Sequence, residues 1–445
     1  MYEIRMNMTV KRWLDLDFWV DVALLLLCAP LLYFPGYFPD WGPMAALGGL
    51  IVGLVWRRWR LGIWFQRTPI DWPLFFLMVV MLPISLWAAP APMREEYSMP
   101  RAYILLWNLC LWMTVVTHAS RRRELLWLST AGFIGVGVMV ALVAPLGIDW
   151  LYKFPGFSVI LSRIPSPLVG VFAGAESGFH PNQVAGTLLH VLPLPLALGI
   201  AALYERRRWL GLLLLGAAAL MGLVLLLTQS RGGLMGLAAG MLAMGIALLP
   251  RLWMIVAIVV LVGGLGFLML TPFPLVELLS DAPPVEAVGG MGTLSFRQEV
   301  WTHAITGLHD FAFTGMGLGT FREIVRLLYP LNVDPSYDIG HAHNFFLQTG
   351  LDFGLPGMIA LIAIYLVVFA VLGQILRSAL RPWGIGLLGC LVAHLSYSML
   401  DAVAMGAKTN VVWWVWLGVV LGVGGLVSMN TQPLNSSHTS NVCSS

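Results

Sequence analysis

The stretch WLGLLLLGAAALMGLVLLLT, residues 209–228, is apolar on every face that a helix could present. A helix of about 20 such residues is long enough to cross the hydrocarbon layer of a bilayer. A strand of a membrane barrel would instead show about ten residues of alternating polarity, and this stretch does not alternate. It therefore predicts a transmembrane helix, and an all-α fold for the chain around it.

The rest of the chain has the composition of an integral membrane protein. Of its 445 residues, 59% are hydrophobic and 11% are charged, and the mean hydropathy is +0.83; soluble domains average about 25% charged residues. Apolar runs predict a polytopic protein with about twelve transmembrane helices, at 18–34, 43–56, 72–89, 102–118, 125–147, 183–204, 208–228, 232–250, 252–270, 350–376, 382–401 and 410–428.

The chain start and the cysteines predict no cleaved leader and no disulfide framework. The first seventeen residues are mixed and charged, and no small-residue cleavage pattern follows Phe34, so we expect the first helix to act as the insertion signal. Three of the four cysteines, Cys28, Cys110 and Cys390, lie within predicted spans, and none forms a CxxC pair.

The distribution of basic residues predicts the orientation. With a cytoplasmic N-terminus, sixteen of the twenty-five Lys and Arg residues fall in six inside segments, and short basic loops stay cytoplasmic during insertion. Both termini are then cytoplasmic. The short basic loops on that side indicate the orientation of the chain rather than a reaction site. The inside residues are Arg5, Lys11, Arg12, Arg57, Arg58, Arg60, Arg67, Arg121, Arg122, Arg123, Arg206, Arg207, Arg208, Arg251, Arg377 and Arg381.

This orientation divides the chain into four parts. Spans 1 to 9 occupy residues 1–270, an extracytoplasmic loop 271–349, spans 10 to 12 residues 350–430, and a polar cytoplasmic tail 431–445. A second outer loop covers 146–182. Loops of this length without a domain of their own are usually functional.

The segment DIGHAHNFFLQTG, residues 338–350, gathers rare polar side chains against the tenth span. His343 would sit in the opening turn of a helix, where Asn344 and Gln348 share a face. A histidine can take a proton from a hydroxyl at neutral pH, which favours His343 as a general base. Two alternatives remain: both histidines cap the helix, or His341, His343, Asp338 and His180 bind a metal, although HxH alone is a weak signal for a metal site.

Two arginines are expected at the outer boundary. Arg231, in TQSRGG, lies between adjoining spans beside Ser230 and two glycines that permit close backbone approach; the alternative is an arginine that reaches up to the lipid headgroups. Arg297, in TLSFRQEVWTHAITGLH, falls in the first turn of an amphipathic helix that Ser295 and Gln298 would cap. A cation there favours a bound anion, and the alternative is an ion pair with Glu299.

Two further motifs lie outside. GFHPNQVAG, residues 178–186, places His180 and Asn182 at the start of the sixth span, where Pro181 suits a first helical turn and a polar contact to substrate is the alternative. GMGLGTF, residues 315–321, lacks the spacing and the preceding strand of a dinucleotide site, so we predict a tight structural loop.

An enzyme on the outer face needs a substrate that already carries its activation, because no phosphate-binding loop or DxD pair appears in the outer loops. A polyprenyl diphosphate-linked sugar meets this requirement. Its lipid tail stays in the bilayer, and two arginines at the boundary could hold its diphosphate through bidentate hydrogen bonds.

At these residues the chain resembles the O-antigen ligase and polymerase family of the bacterial envelope. The resemblance covers about 180–360 and rests on the order of SRGG at 230–233, FRQEVW at 296–301, GMGLGTF at 315–321, and HAHN leading into GLDFGLPG. It implies inverting, metal-independent and cofactor-free transfer of a glycan from undecaprenyl diphosphate to an acceptor hydroxyl, outside the bacterial cytoplasmic membrane.

Carried over by motif, the resemblance assigns catalytic roles to His343, Arg231 and Arg297. Substrate-binding roles are expected for the other polar residues of the motifs, although His341 has no firm counterpart in the family pattern. The expected partners are the lipid-linked glycan, its lipid or glycan acceptor and membrane lipids, and no nucleic acid. The substrate-binding set is His341, Asn344, His180, Asn182, Ser230 and Trp301.

The sequence leaves alternatives open. We favour a ligase acting on lipid A-core or another envelope acceptor because of the single compact outer loop with HAHN; a polymerase that extends lipid-linked repeats is the alternative. A twelve-span solute transporter would instead place polar groups near the midplane. For that function His394 and Asp401 are the candidate pair, and both lie in the eleventh predicted span.

Overall fold

The computed structural model describes residues 16–148, 150, 155–171, 178–250, 252–256, 294–330 and 339–431. Within these ranges the regular structure is entirely helical, with no strand. The main helices are α1 (Leu16–Tyr33), α2 (Gly42–Leu61), α3 (Asp71–Ala88), α4 (Ala91–Ala119), α5 (Arg123–Val143), α6 (Pro181–Val191), α7 (Pro193–Tyr204), α8 (Arg208–Leu227), α9 (Arg231–Leu248), α10 (Leu294–Asp310), α11 (Phe321–Leu328), α12 (Phe345–Ile375), α13 (Arg381–Ser398) and α14 (Val411–Thr431).

Nine helical segments of the described chain are long and apolar enough to cross a membrane, and each coincides with a predicted span. They are Leu16–Tyr33, Asp71–Ala88, Ala91–Ala119, Arg123–Leu146, Pro181–Tyr204, Arg208–Leu227, Arg231–Leu248, Phe345–Ile375 and Lys408–Met429. The all-α membrane fold is therefore confirmed.

Three of the twelve predicted spans are not among these nine segments, so the count of twelve stays a prediction. The spans at 43–56 and 382–401 fall on α2 and α13, which are helical but less apolar, since α2 ends in WRRWRL and α13 carries Arg381 and His394. The span at 252–270 lies mostly outside the described residues. The N-terminal segment and the 431–445 tail also lie almost wholly outside them.

One end of the bundle is held by a buried ion cluster. Arg57 Nε lies 2.9 Å from Asp21 Oδ2, and His118 Nε2 lies 2.9 Å from the same oxygen. A further Arg57 nitrogen donates to Thr114 Oγ1 at 2.6 Å. The prediction that Arg57 is a topological loop charge is therefore wrong: it lies inside α2 at 3% exposure, because its charge is matched by an acid on α1.

Helices α9 and α13 cross closely because glycines face the contact. A Cβ atom on Gly236 would lie 2.8 Å from the Ala393 carbonyl oxygen, and one on Gly240 would lie 2.6 Å from the Gly389 carbonyl oxygen. Small residues four apart allow helix backbones to approach within a membrane. This contact fixes the start of α9, with its SRGG motif, against the end of α13.

Helix α12 is broken near its outer end. It begins at Phe345, five residues before the predicted start at 350, and Gly354 has φ 72° and ψ 177°, outside the helical region. Backbone groups at the break bond to the glycine loop, residues 312–320: the Met316 N–H donates to the Leu351 carbonyl at 2.7 Å, and the Leu355 N–H donates to the Ala312 carbonyl at 2.7 Å. The break is thus filled by protein rather than exposed to lipid.

The glycine loop fits this break because of its backbone conformation. Gly315, Gly317 and Gly319 all have positive φ, at 70°, 108° and 74°. A Cβ on Gly315 would lie 2.7 Å from the Leu351 carbonyl oxygen, so only glycine allows this approach. The prediction of a tight structural loop is confirmed.

Helix α10 packs with one apolar stripe on the end of the bundle where α12 begins. Phe296, Val300, Ala304 and Leu308 are buried together with residues of α11 and the start of α12, whereas Ile305 is 57% exposed. The predicted amphipathic helix is confirmed. The proposed Ser295 cap lies outside the side chains that the structure describes.

We expect Gly240→Leu to destabilise the bundle, because a side chain there must displace the α13 backbone. Overpacking of this kind costs about 1–3 kcal/mol or more. The midpoint of thermal unfolding in detergent, followed by size-exclusion chromatography, should fall. Gly245→Leu is the control on the same helix, because a Cβ there meets no atom within 4 Å. Equal loss of stability in both variants would contradict the close crossing.

Candidate active site

Four predicted segments meet around Tyr397, near the C-terminal end of α13. Its hydroxyl donates to the Asn182 carbonyl at 2.6 Å, at the start of α6. A Cβ on Gly232 of the SRGG motif would lie 3.7 Å from the Tyr397 ring, and Arg297 lies within electrostatic range of the Tyr397 hydroxyl. The Tyr397 hydroxyl also lies near the carboxylate of Asp401, and that carboxylate faces both histidines of HAHN.

Asp401, just beyond the end of α13, accepts hydrogen bonds from several groups. It is 6% exposed, and its Oδ1 atom lies 3.5 Å from both His341 Nε2 and His343 Nδ1. The Ala402 N–H donates to Oδ1 at 2.8 Å, and the Tyr397 hydroxyl lies 3.1 Å from Oδ2. Burial alone raises the pKa of Asp401, but His343, His341 and the Ala402 N–H together hold it below its ordinary value. The carboxyl group is therefore ionised.

The predicted pairing of Asp401 with His394 is wrong. His394 Nε2 lies 3.1 Å from the Tyr365 hydroxyl and 3.4 Å from Ser398 Oγ, inside the bundle. Asp401 turns outward instead, because α13 ends at Ser398 and the chain then leaves the helix. Sequence spacing placed both residues in one helix, and only the helix end separates them.

The ring of His341 is neutral, with its proton on Nε2. Its Nδ1 accepts the N–H of His343 at 3.2 Å, so that nitrogen carries a lone pair. Burial lowers the pKa of His341 to about 4; Asp401 opposes this shift, while His343, His180 and Arg101 add to it. At neutral pH the His341 ring therefore directs its Nε2–H toward Asp401.

This tautomer argues against a metal at the histidines. One ligand atom each from His341, His343 and Asp401 lies within 4.8 Å of the others, a spacing that suits a metal ion. However, a neutral histidine that binds metal through Nε2 must carry its proton on Nδ1 and donate it. In His341 that nitrogen faces the N–H of His343 instead. His180 Nδ1 likewise accepts from the Asn182 N–H at 3.3 Å, and Asp338 lies outside the described residues.

His343 lies before α12 rather than in its opening turn, which corrects the sequence prediction. Asn344 is the N-cap, accepting from the Phe346 and Leu347 N–H groups at 3.0 Å, so helix capping does not explain His343. The φ angle of His343 is +48°, a left-handed conformation that costs energy in a residue other than glycine and often marks a functional site. With Nδ1 facing Asp401, Nε2 remains to accept a proton.

A buried relay holds the turn between the two histidines. The Ala342 N–H donates to Gln348 Oε1 at 2.8 Å, and Gln348 Nε2 donates to Asp352 Oδ1 at 3.0 Å. The Gly319 N–H donates to the same Asp352 oxygen at 2.9 Å. Helical spacing correctly predicted that Gln348 lies on the Asn344 face of a helix. It did not predict the contact with Asp352, because helical periodicity does not show which side chains meet across a break.

The cationic residues occupy different settings. Arg231 is exposed at the first turn of α9, and Ser230 Oγ caps that helix by accepting from the Gly233 N–H at 3.2 Å. Arg297 is partly buried and forms no ion pair with Glu299 or any other residue in the described ranges. Trp301 Nε1 is buried with no hydrogen-bond partner there.

Two further arginines were not singled out from sequence. Arg101 on α4 lies within electrostatic range of Arg322 on α11 and of Asp352 on α12. Arg101, Arg322 and Asp352 belong to segments far apart in the chain, so only the fold shows that their charged groups lie close together. The end of the bundle that carries HAHN thus has more positive charge near the histidines than the motifs alone indicated.

The comparison with protein families agrees with this arrangement. Residues 216–362, about a third of the chain, match the family model described as O-antigen ligase. This range contains SRGG, FRQEVW, GMGLGTF and HAHN, the motifs on which the predicted resemblance rests. No curated protein compared with the chain matches it. The match confirms the resemblance predicted from these motifs: residues 216–362 are similar to the O-antigen ligase family.

Proposed function

We propose that this membrane glycosyltransferase moves a glycan from undecaprenyl diphosphate to an acceptor hydroxyl on the outer face of the bacterial cytoplasmic membrane, inverting the anomeric centre and using no metal. The observation that carries the proposal is the shared carboxylate of Asp401, 3.5 Å from both histidines. It matches the arrangement of an acid that orients a histidine base. The orientation of the termini inferred from charge places this site outside.

His343 acts as the general base. The Nδ1 atom of the ring faces Asp401 Oδ1 across 3.5 Å. A proton on Nδ1 directed at that carboxylate leaves the Nε2 lone pair for the proton of the acceptor hydroxyl. The acceptor oxygen then forms a bond to the anomeric carbon as the bond from that carbon to the diphosphate oxygen breaks. The proton remains on His343 and the negative charge leaves with the diphosphate.

Arg231 and Arg297 hold the leaving diphosphate. Arg231 adjoins Gly232, whose Cβ would lie 3.7 Å from the Tyr397 ring, and Arg297 lies within electrostatic range of the Tyr397 hydroxyl. Neither arginine forms an ion pair within the described chain. A guanidinium can donate two parallel hydrogen bonds to phosphate oxygens and stabilise the charge that develops on them. Trp301, on the same helix as Arg297, presents an unpaired indole N–H that suits a sugar or phosphate oxygen.

His341 supports the base rather than replacing it. It is a neutral donor to Asp401, and its Nδ1 fixes the turn that carries His343. Ser230, Asn344 and His180 have structural tasks in the structure, as caps or turn acceptors. Their predicted contacts to substrate remain predictions.

The identity of the acceptor distinguishes a ligase from a polymerase. A ligase, which we favour for the compact outer loop with HAHN, transfers to lipid A-core or another envelope lipid; a polymerase transfers to a second lipid-linked repeat. The transporter alternative relied on a polar pair of His394 and Asp401 within the bundle. His394 bonds to Tyr365, and Asp401 faces the histidines, which favours the transferase.

We expect His343→Ala to lower kcat by about 10²–10⁴-fold, the usual contribution of a general base. Release of undecaprenyl diphosphate from a lipid-linked glycan, measured with purified protein in EDTA, reports the loss. His309→Ala is the matched control, because that side chain is 89% exposed on α10. Full activity in His343→Ala would exclude it as the base, and loss of wild-type activity in EDTA would revive the metal site.

We expect Arg297→Ala and Arg231→Ala to lower kcat/KM for the donor by about 10²-fold or more, because each removes stabilisation of the leaving diphosphate. Lysine at either position should restore part of the activity through its charge, but not the bidentate contact. Arg163→Ala, an exposed arginine of the other outer loop, serves as control. Unchanged donor kinetics in both arginine variants would refute the diphosphate contact.

We expect Gln348→Glu to lower kcat about tenfold without changing the donor KM, because a carboxylate would face Asp352 and release the Ala342 turn. Adding Asp352→Asn should restore activity, since the new amide can donate to the carboxylate introduced at position 348 while still accepting from the Gly319 N–H. Gln298→Glu, exposed on α10, is the control. Failure of the double variant to recover, with normal thermal stability, would show that the relay does not position the base.

A further inference from the structure

A cavity of about 300 Å³ opens at the outer ends of α1, α4 and α14, beside the histidine cluster. Four aromatic side chains line it: Tyr33, Phe34, Tyr37 and Tyr97. Phe34 and Tyr37 are 39% and 63% exposed, so the cavity is open to its surroundings. We call it the Arg101 cavity after the cation in its wall.

The charges of the Arg101 cavity are mainly positive. Arg101 and Lys408 line it together with one acid, the exposed Glu96. Arg101 forms no hydrogen bond or ion pair with a residue of the described chain, and it lies near a second guanidinium, that of Arg322. The Lys408 ammonium lies 4.2 Å from the centre of the Phe34 ring. Arg101 and Lys408 line the same cavity and form no ion pair within the described chain, which favours a bound anion between them.

The cavity lies close to the reaction centre but is separate from the diphosphate contact. Arg101 is near enough to His341 to contribute to the lowering of its pKa. A Cβ on Gly319 or Gly406 would collide with Arg101, so the arginine is held between two backbone segments. The lining contains no residue of α9 or α10, the helices that carry Arg231 and Arg297.

We propose that the Arg101 cavity binds the phosphorylated sugar headgroup of the acceptor glycolipid, an inference that rests on the proposed function. Aromatic rings bury the apolar face of a sugar, and Glu96 at the rim can accept from its hydroxyls. Arg101 and Lys408 bind its phosphate. The volume lies at the lower end of ligand sites and fits a headgroup of one sugar rather than a polymer.

Kinetics test the cavity with exposed residues that leave folding intact. Tyr37→Ala and Lys408→Ala should raise the KM for a phosphorylated glycolipid acceptor about five- to tenfold, and leave kcat and the donor KM unchanged. Trp41→Ala and Arg163→Ala are matched controls, since both residues are exposed and neither lines the cavity. An equal effect of the controls, or an effect on the donor KM alone, overturns the proposal.

A binding measurement separates failure of the cavity from failure of the proposed function. Saturation-transfer NMR with glucose 1-phosphate and the full chain in nanodiscs should show contact that Lys408→Ala and Tyr37→Ala abolish, whether or not the protein transfers sugar. Methyl glucoside should bind more weakly. If inorganic phosphate or phosphatidylglycerol in the nanodisc displaces glucose 1-phosphate and methyl glucoside shows no contact, the site takes a phosphate or a lipid headgroup and the proposal is wrong. If methyl glucoside binds as well as glucose 1-phosphate, the cations do not bind the phosphate and the proposal is also wrong.

Discussion

The break in α12 at Gly354 is the constraint on which the HAHN end of the molecule depends. A helix interrupted near a membrane leaves backbone groups that lipid cannot satisfy, so protein must supply the partners. Here the glycine loop provides an N–H for Leu351 and a carbonyl for Leu355, and Ser85 Oγ donates to the Asp352 carbonyl at 2.5 Å. The outer segment is therefore joined to the bundle by main-chain bonds as well as by apolar contact.

The same junction reaches the histidines. Asp352, 0% exposed, accepts from the glycine loop and from Gln348, and Gln348 holds the N–H between His341 and His343. Both bonds end on Oδ1, whereas the buried Oδ2 has no hydrogen-bond partner in the described chain and Arg101 lies within electrostatic range of the carboxyl group. The same hydrogen bonds therefore connect the loop that fills the broken helix to the turn that carries His343, the proposed base.

Sequence patterns predicted those parts of the fold that depend on local polarity. Apolar runs located nine spans, and the stripe of Phe296, Val300 and Ala304 gave α10 its buried face. Sequence patterns failed where the setting of a residue depends on partners that are distant in the chain. Arg57 has the sequence context of a loop charge, yet an acid on another helix buries it. The motifs identified His343 and two arginines, but Arg101 and Asp352 gain their setting from segments more than 200 residues apart.

The two histidines of HAHN differ because of backbone geometry rather than residue type. Spaced two apart, they reach one carboxylate only because His343 adopts a left-handed conformation, which turns its N–H onto His341 Nδ1. That single hydrogen bond sets the tautomer of His341 and makes it a donor to Asp401. In His343, Nδ1 faces Asp401, so Nε2 is the nitrogen left for the proposed proton transfer. The asymmetry favours a proton-transfer site over a metal site with the same three residues.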